Sequence, residues 1–151
     1  MKSISISLAK SEILEDVSLN TAYTGAKSSD DKAYNRVATI PQDDPLLSKF
    51  WIETGGRVID QLKEFVVSSS LDEEKFRMTL EVSGAFEESL EPTVKDDIHA
   101  AVTAGVMTRW LRYTYPDKAT EWESHTTYLL GSVLSKLCHR RRPLRIKQSE
   151  I

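Results

Sequence analysis

The sequence has few of the features that a disulfide scaffold, a zinc-finger-type site or a membrane protein requires. Its 151 residues include a single cysteine, which excludes a disulfide framework and any multi-cysteine zinc site and fits a reducing compartment. No apolar run approaches the ~20 residues that span a bilayer. In the N-terminal segment 1–7 isoleucines alternate with serines, so the segment lacks the continuous apolar stretch of a signal peptide. We therefore expect one soluble domain in the cytoplasm.

Signatures of catalysis are also lacking. Cys138 and His139 are adjacent, so on a helix their side chains point about 100° apart and cannot pair as nucleophile and base. Because Cys138 follows an apolar stripe, we expect a packed thiol rather than a reactive one. The segment 24–28 lacks the adjacent glycine and lysine of a phosphate-binding loop. We predict that the protein is not an enzyme and binds no cofactor.

Two carboxylate–histidine pairs are the only candidates for metal ligation. Asp96 and His99 are three residues apart, and Glu121 and His125 are four apart, so each pair shares a helix face. Neither pair reproduces the Glu-x-x-His of di-iron bundles or the His-Glu-x-x-His of zinc proteases. An antiparallel arrangement of their helices would also separate the two pairs. We predict no metal site and interpret these residues as capping and surface groups.

Helical periodicity dominates the chain and predicts a mainly α-helical bundle with a small β-hairpin, in a single domain over residues 1–151. A helical hairpin is predicted over about 93–141, because Pro116 disfavours helical geometry at Tyr115 and a second helical pattern follows. The residues expected to form the core stripe of this second helix are Ala119, Trp122, Thr126, Leu129, Val133 and Leu137.

A further helix begins at Asp44-Pro45, a typical cap and first-turn pair. The pair Gly55-Gly56 in its middle costs about 1 kcal/mol per glycine relative to alanine. This cost indicates a kink or the close approach of another element, and Gly105 in the C-terminal hairpin likewise indicates a close helix contact. The apolar stripe of the helix that begins at Asp44 consists of Leu47, Trp51, Thr54, Val58, Leu62 and Phe65, widened by Phe50 and Ile59.

The N-terminal half contains β-type alternation and a polar break. Ile4, Ile6 and Leu8 alternate with serines and predict a strand or an extended arm, followed by a helix that Gly25 ends as a left-handed cap. Residues of about 26–44 are polar and predict a long loop. A β-hairpin is predicted over about 66–82. An isolated hairpin is marginal in water, so it needs helices beneath it, or a strand from the N-terminal arm or from another subunit.

The charge of the chain is unevenly distributed. Residues 136–147 carry a local charge of +6, which leaves −9 for the rest of a chain whose net charge is −3. Three interpretations stay open: a solvated helix end that complements the helix dipole, a contact with another protein, or a contact with nucleic acid. The candidate interaction residues are Lys136, Arg140, Arg141, Arg142, Arg145 and Lys147.

Residues 93–143 resemble the small helical proteins of tailed-phage necks, the head–tail connectors and head-completion adaptors. The resemblance rests on an alanine-rich helix that begins Asp97–Val102 and on the Trp-Leu with aromatics at Trp110–Tyr113. It continues through the proline-containing turn Tyr115–Asp117 and the exit through Arg141–Pro143. The whole chain is also similar to prophage-encoded proteins that have a helical body and an inserted hairpin.

The resemblance implies a non-enzymatic virion assembly protein that acts as a ring of identical copies. It would then reside in the cytoplasm of a bacterial host or in the virion, away from membranes, with itself and other phage structural proteins as partners. In that role we expect the basic C-terminal residues to contact the acidic surface of a neighbour. The alternative is a small nucleic-acid-binding or regulatory helical module that uses the same basic residues.

Overall fold

The computed structural model describes residues 1–27 and 32–142, which pack a set of helices against one face of a small sheet. Short 3₁₀ turns at Pro41–Asp43 and Glu88–Leu90 precede two of the helices. The fold class is mainly α with a small β part in a single domain, as predicted. In chain order the elements are β1 (Lys2–Ala9), α1 (Lys10–Ala26), α2 (Ala33–Val37), α3 (Asp44–Gln61), β2 (Val66–Leu71), β3 (Lys75–Val82), α4 (Glu91–Thr114) and α5 (Pro116–Leu137).

Helix α4 forms the centre of the core. It contacts α1, α3, α5 and β1, and a helix that is apolar on most sides must be covered on most sides. Together α4 and α5 form the C-terminal hairpin, which spans Glu91–Leu137 where the sequence predicts about 93–141. The α4 side chains and glycine that are buried are Val94, Ile98, Ala101, Val102, Thr103, Ala104, Gly105, Val106, Met107, Thr108, Trp110 and Leu111.

The sheet has the strand order β1-β3-β2, with both pairs antiparallel. The predicted hairpin is therefore β2 and β3, and the additional strand that it needs comes from the N-terminal arm of the same chain. The register runs from Lys2 opposite Val82 to Ala9 opposite Lys75. The inner face that packs on the helices consists of Ile4, Ile6, Leu8, Phe76, Met78, Leu80 and Val82, all of them buried.

The predicted stripe of α3 is confirmed from Leu47 to Leu62, whereas Phe65 lies past the end of the helix and is half-buried. One glycine of the pair in its middle is explained. Trp51 and Val58 are buried, and Trp51 Nε1 donates to the carbonyl oxygen of Asp72 at 2.8 Å. A Cβ at Gly55 would lie 2.8 Å from the side chain of Leu71 in β2, which is the close approach that the sequence indicates. A Cβ at Gly56 would meet nothing within 4 Å, so packing does not require that glycine.

The prediction that Gly25 ends α1 as a left-handed cap is wrong. Helix α1 continues through Gly25 to Ala26, and none of the glycines, all of which lie in the described residues, has a positive φ. A Cβ at Gly25 would lie only 2.6 Å from Cα of Tyr34 in α2. The glycine is therefore needed because the backbone of α2 passes directly over it.

The long loop predicted over about 26–44 is also partly wrong. Residues 28–31 lie outside the described residues, but the rest of the segment includes the last residue of α1, helix α2 and the 3₁₀ turn. Helix α2 buries Ala33 and Val37. The carbonyl oxygen of Val37 accepts a hydrogen bond from Trp110 Nε1 at 2.6 Å, so a short helix with two apolar anchors is docked where composition alone indicates a loop.

Thr54, at the contact between α3 and α4, permits a stability prediction. Its side chain is 1% exposed, its Oγ1 has no hydrogen-bond partner among the described residues, and its Cγ2 would be 2.4 Å from a Cβ at Gly105. Replacing the hydroxyl with a methyl group removes a buried unsatisfied polar atom at nearly constant volume. We expect Thr54→Val to raise the free energy of unfolding by about 1 kcal/mol in urea titrations.

The control for this prediction is Thr108→Val in α4. Thr108 is also 1% exposed, but its Oγ1 donates to the carbonyl oxygen of Ala104 at 2.8 Å. Because this variant loses a hydrogen bond, it should be neutral or less stable by up to ~1 kcal/mol. A Thr54→Val variant that is no more stable than the wild-type chain would contradict the prediction.

Candidate interaction surfaces

The first surface is the arginine stub, Arg140–Arg142, which follows the end of α5. Its backbone runs beside the segment 85–87: the amide of Arg141 donates to the carbonyl oxygen of Ala85 at 2.7 Å, and the amide of Glu87 donates to that of His139 at 3.3 Å. Arg140 and Phe86 form an antiparallel bridge. All three arginine side chains are nevertheless exposed. The stub therefore presents three cations on a fixed backbone.

The structure separates the predicted basic residues into different roles. Lys136 Nζ donates to Oδ2 of Asp97 at 2.6 Å, and Ser132 Oγ donates to the same oxygen at 3.0 Å. Lys136 is thus part of a tie between α4 and α5 and does not belong to the exposed patch. Arg140, Arg141 and Arg142 form the stub, whereas Arg145 and Lys147 lie outside the described residues.

A carboxylate beside the stub is held in its charged form. Lys2 Nζ lies 2.6 Å from Oε1 of Glu88, and this hydrogen bond and the charge of the ammonium group lower the pKa of Glu88 below its ordinary value. The positive charge of Arg141 lowers that pKa further. The base of the stub is therefore balanced by an anion, and Arg140 and Arg142 extend the cationic surface beyond it.

The second surface is the α3–α4 groove, an open cavity of about 320 Å³ between these helices. The ring of Tyr113 stacks on that of Phe50, with centroids 6.0 Å apart and planes at 14°. Tyr113 remains 72% exposed, so an aromatic face is available to a partner. The residues that line the groove are Lys49, Phe50, Glu53, Arg109, Arg112 and Tyr113.

Cations outnumber carboxylates in and beside the groove. Arg109 lies 2.9 Å from Glu53, and Lys49 lies 3.9 Å from the same carboxylate. Glu123 of α5 forms a two-pronged pair with Arg57 of α3, at 2.7 and 3.1 Å, and Arg112 lies 3.8 Å from it. Four cations thus surround two carboxylates. The two cations at the longer distances, Lys49 and Arg112, are also the most exposed, at 67% and 58% of their side chains.

The third surface is the outer face of α1, defined by Glu12, Glu15, Leu19 and Tyr23. All four side chains are exposed, Leu19 to 65% and Tyr23 to 66%. The sequence has no lysine or arginine between Lys10 and the end of α1, and Lys10 Nζ itself donates to Ser48 Oγ of α3 at 2.9 Å. This face is therefore acidic along its first half and apolar along its second, where Nζ of Lys27 lies 5.7 Å from the centroid of the Tyr23 ring.

Cys138 and His99 stand in the sequence as a thiol and as a possible metal ligand, and the structure gives each another environment. The prediction of a packed thiol is wrong: Cys138 is exposed, because α5 ends at Leu137 and the chain then turns away from the stripe. His99 Nε2 lies 2.7 Å from Oδ2 of Asp16 in α1 instead of pairing with Asp96. Within residues 1–27 and 32–142, no three His, Cys, Asp or Glu side chains are grouped as metal ligands would be.

The arginines of the stub were predicted from the sequence, whereas the groove and the acidic outer face of α1 were not. The groove combines residues of α3 and α4 beside a carboxylate of α5, and only the Lys49–Glu53 spacing of four residues is visible locally. The outer face of α1 does have a local signal, since its four residues recur at helical spacing. The buried stripe of a helix does not predict what its opposite side carries.

Comparisons with protein-family models, with curated proteins and with solved structures found no match to this chain. In the described part of the chain, the helices fall short of the combination of length and apolarity that crossing a bilayer demands.

Proposed function

We propose that this chain is a non-enzymatic assembly protein of a phage or prophage particle, a head–tail connector or neck adaptor that acts through contacts between its copies and with other phage structural proteins. The observation that carries the proposal is the arginine stub, three exposed cations on a backbone that is bonded to residues 85–87. The resemblance of residues 93–143 to phage neck proteins supports the same function, because this segment includes the α4–α5 hairpin and the stub.

The fold supports a docking role because its helices are tied into a rigid body. Asp97 joins α4 to α5 through Ser132 and Lys136, and the pair Arg57–Glu123 joins α3 to α5. Surfaces on such a body are pre-organised, so association loses little conformational entropy. Arginine and tyrosine, the residue types exposed on the stub and in the groove, are enriched in the energetic centres of protein interfaces.

The test is the triple variant Arg140→Ser, Arg141→Ser and Arg142→Ser, measured by light scattering at low salt. We expect the wild-type chain to self-associate and the variant to associate about tenfold more weakly, because charge pairs across an interface are lost. The wild-type mass should also fall as salt is added, since exposed charges are screened over about 10 Å at 0.1 M. Adding Arg145→Ser extends the test to the arginine beyond the described residues.

The matched control removes the same charge from another exposed area. Lys63→Ser, Lys75→Ser and Arg77→Ser change residues that are exposed in and before the hairpin. The control should keep the wild-type mass distribution. A stub variant with an unchanged mass distribution, or a control that loses as much association, would contradict the proposal.

The alternative function, a nucleic-acid-binding or regulatory module, uses the same three adjacent arginines. The exposed face of the sheet does not add to it, because Ser3, Ser5 and Ser7 stand where a stacking platform would require aromatic rings. Titrating labelled duplex DNA at two salt concentrations distinguishes the functions. The alternative predicts that the logarithm of the association constant for DNA falls linearly with the logarithm of the salt concentration, with a slope of about −0.9 per phosphate contact. Such binding by a chain that does not self-associate would favour the alternative.

A further inference from the structure

We infer that the outer face of α1 of one copy docks into the α3–α4 groove of the next copy. The inference deepens the proposed function and rests on it in one respect, since both require that the chain associates with itself. It names the two surfaces that meet, and neither of them is the arginine stub.

Charge complementarity is the first argument. The groove and its rim carry two more cations than carboxylates, and the outermost cations, Lys49 and Arg112, lie 3.9 and 3.8 Å from the carboxylates that they share with other partners. These two are therefore the least committed charges of the network. The outer face of α1 offers Glu12 and Glu15, and no cation interrupts the sequence from Ser11 to Ala26. The excess of positive charge in the groove is thus met by the two glutamates, which lie at the opposite end of the α1 face from Lys27, whose Nζ is 5.7 Å from the centroid of the Tyr23 ring.

The apolar parts of the two surfaces provide the second argument. Tyr113 is 72% exposed on its stack with Phe50, and Leu19 and Tyr23 are 65% and 66% exposed one helical turn apart. Large apolar side chains exposed beside charges are typical of interface centres, and arginine and tyrosine dominate the binding energy there. Leu19 and Tyr23 are therefore the side chains that we expect to cover Tyr113, while the glutamates meet Lys49 and Arg112.

A contact between two different surfaces is heterologous. Each copy has one α1 face and one groove, so a bound copy still offers the unused surface of each kind. Repetition of the contact generates a ring when the rotation closes and a filament when it does not. The contact therefore repeats from copy to copy, and the contact that the arginine stub makes adds to the same assembly.

The test reverses the charge of one surface at a time. The variant Glu12→Lys, Glu15→Lys has two basic surfaces, and the variant Lys49→Glu, Arg112→Glu has two acidic ones. All four side chains are exposed, so circular dichroism should show the wild-type fold for both. By analytical ultracentrifugation at low salt we expect each variant alone to associate at least about tenfold more weakly than the wild type, because like charges then face each other.

Mixing the two variants is the decisive measurement. The basic α1 face of the first variant fits the acidic groove of the second, and the reverse pair is the wild-type contact. An equimolar mixture should therefore associate again, with both variants present in each complex by native mass spectrometry. The control Glu73→Lys, Glu74→Lys makes the same charge change at the exposed turn of the β-hairpin. It should associate like the wild type. In a mixture with the acidic variant, that variant should only end the complexes through its unchanged α1 face, because its own groove accepts no acidic α1 face and cannot extend them.

The outcomes separate this inference from the proposed function. Wild-type association that survives both reversals, or a mixture that does not recover, overturns the docking of α1 into the groove and leaves the proposed function standing. Loss and recovery as described, together with a stub variant that associates normally, supports the docking and counts against the role of the stub. A wild-type chain that stays monomeric at every concentration overturns both.

Discussion

Replacing Trp51 with alanine should lower the free energy of unfolding by about 3–5 kcal/mol, the largest stability loss that we expect from a single substitution. Trp51 is fully buried in α3, and its ring meets that of Phe76 edge to face, with centroids 6.4 Å apart. Its Nε1 also donates to the carbonyl oxygen of Asp72 at 2.8 Å, so the residue joins α3 to β3 and to the turn of the hairpin. The variant loses packing, leaves a cavity and removes the donor to that carbonyl.

Thermal unfolding followed by circular dichroism measures this effect. A loss of this size should lower the melting temperature by about 6–20 °C in a domain of this length. The control is Trp122→Ala, because Trp122 is only partly buried in α5 and its loss opens no closed cavity. If the two substitutions lowered the melting temperature equally, the burial of Trp51 under the hairpin would not determine how much this residue contributes to stability.

Replacing Gly25 with alanine should destabilise the protein by about 2 kcal/mol, although alanine is the better helix former. At an open helical position this exchange stabilises by up to ~1 kcal/mol. At Gly25, however, the added Cβ would lie 2.6 Å from Cα and 3.1 Å from the amide nitrogen of Tyr34, and backbone cannot rotate out of the way. Helix α2 would have to move, and overpacking of this kind typically costs about 1–3 kcal/mol.

Movement of α2 is costly because its C-terminal end is attached to α4 by two hydrogen bonds. The carbonyl oxygen of Val37 accepts from Trp110 Nε1 at 2.6 Å, and Nε of Arg36 donates to the carbonyl oxygen of Thr114 at 2.7 Å. The control is Gly131→Ala in α5, where a Cβ would meet nothing within 4 Å. Urea titrations should show opposite signs for the two variants. A Gly25→Ala variant as stable as Gly131→Ala would show that α2 does not pack on this glycine.

These glycines show how far a pattern in the sequence can be interpreted. Gly25 at the end of a helical pattern is compatible with a left-handed cap and with a close contact, since both need the absence of a Cβ. Only the position of Tyr34 decides between them. The cost of glycine in a helix interior predicts a close approach or a kink at Gly55-Gly56 and a close contact at Gly105. The close approach is confirmed at Gly55 and Gly105, whereas a Cβ at Gly56 would meet nothing within 4 Å.

Burial predictions succeeded where a long periodic segment supplied them and failed at the ends of elements. Trp51 and Val58 in α3, and Leu129 and Val133 in α5, are buried as their spacing predicts. Cys138 comes directly after the last residue of the stripe but is exposed, because α5 ends at Leu137 and position 138 does not continue the helical spacing. A periodic pattern shows which side of a helix faces the core, but it does not show the residue at which the chain leaves the helix.

The candidate surfaces also differ in how much of each the sequence predicts. The stub is visible in the sequence because Arg140, Arg141 and Arg142 are consecutive, yet its attachment to residues 85–87 is a tertiary contact. The α3–α4 groove cannot be predicted from the sequence, because Lys49 is distant in the chain from Arg112 and Tyr113. Whether these residues come together depends on how α3 crosses α4.

The sequence by itself determined the fold class, the positions of the long helices and the hairpin, and the buried stripes, because helix and strand periodicities are local properties of the chain. Only the tertiary structure decided that β1 completes the sheet, that α2 docks beneath Trp110, and that Lys136 serves the interior while the arginines beside it face outward. Each of these depends on contacts between residues far apart in the chain, whose pairing no local pattern specifies.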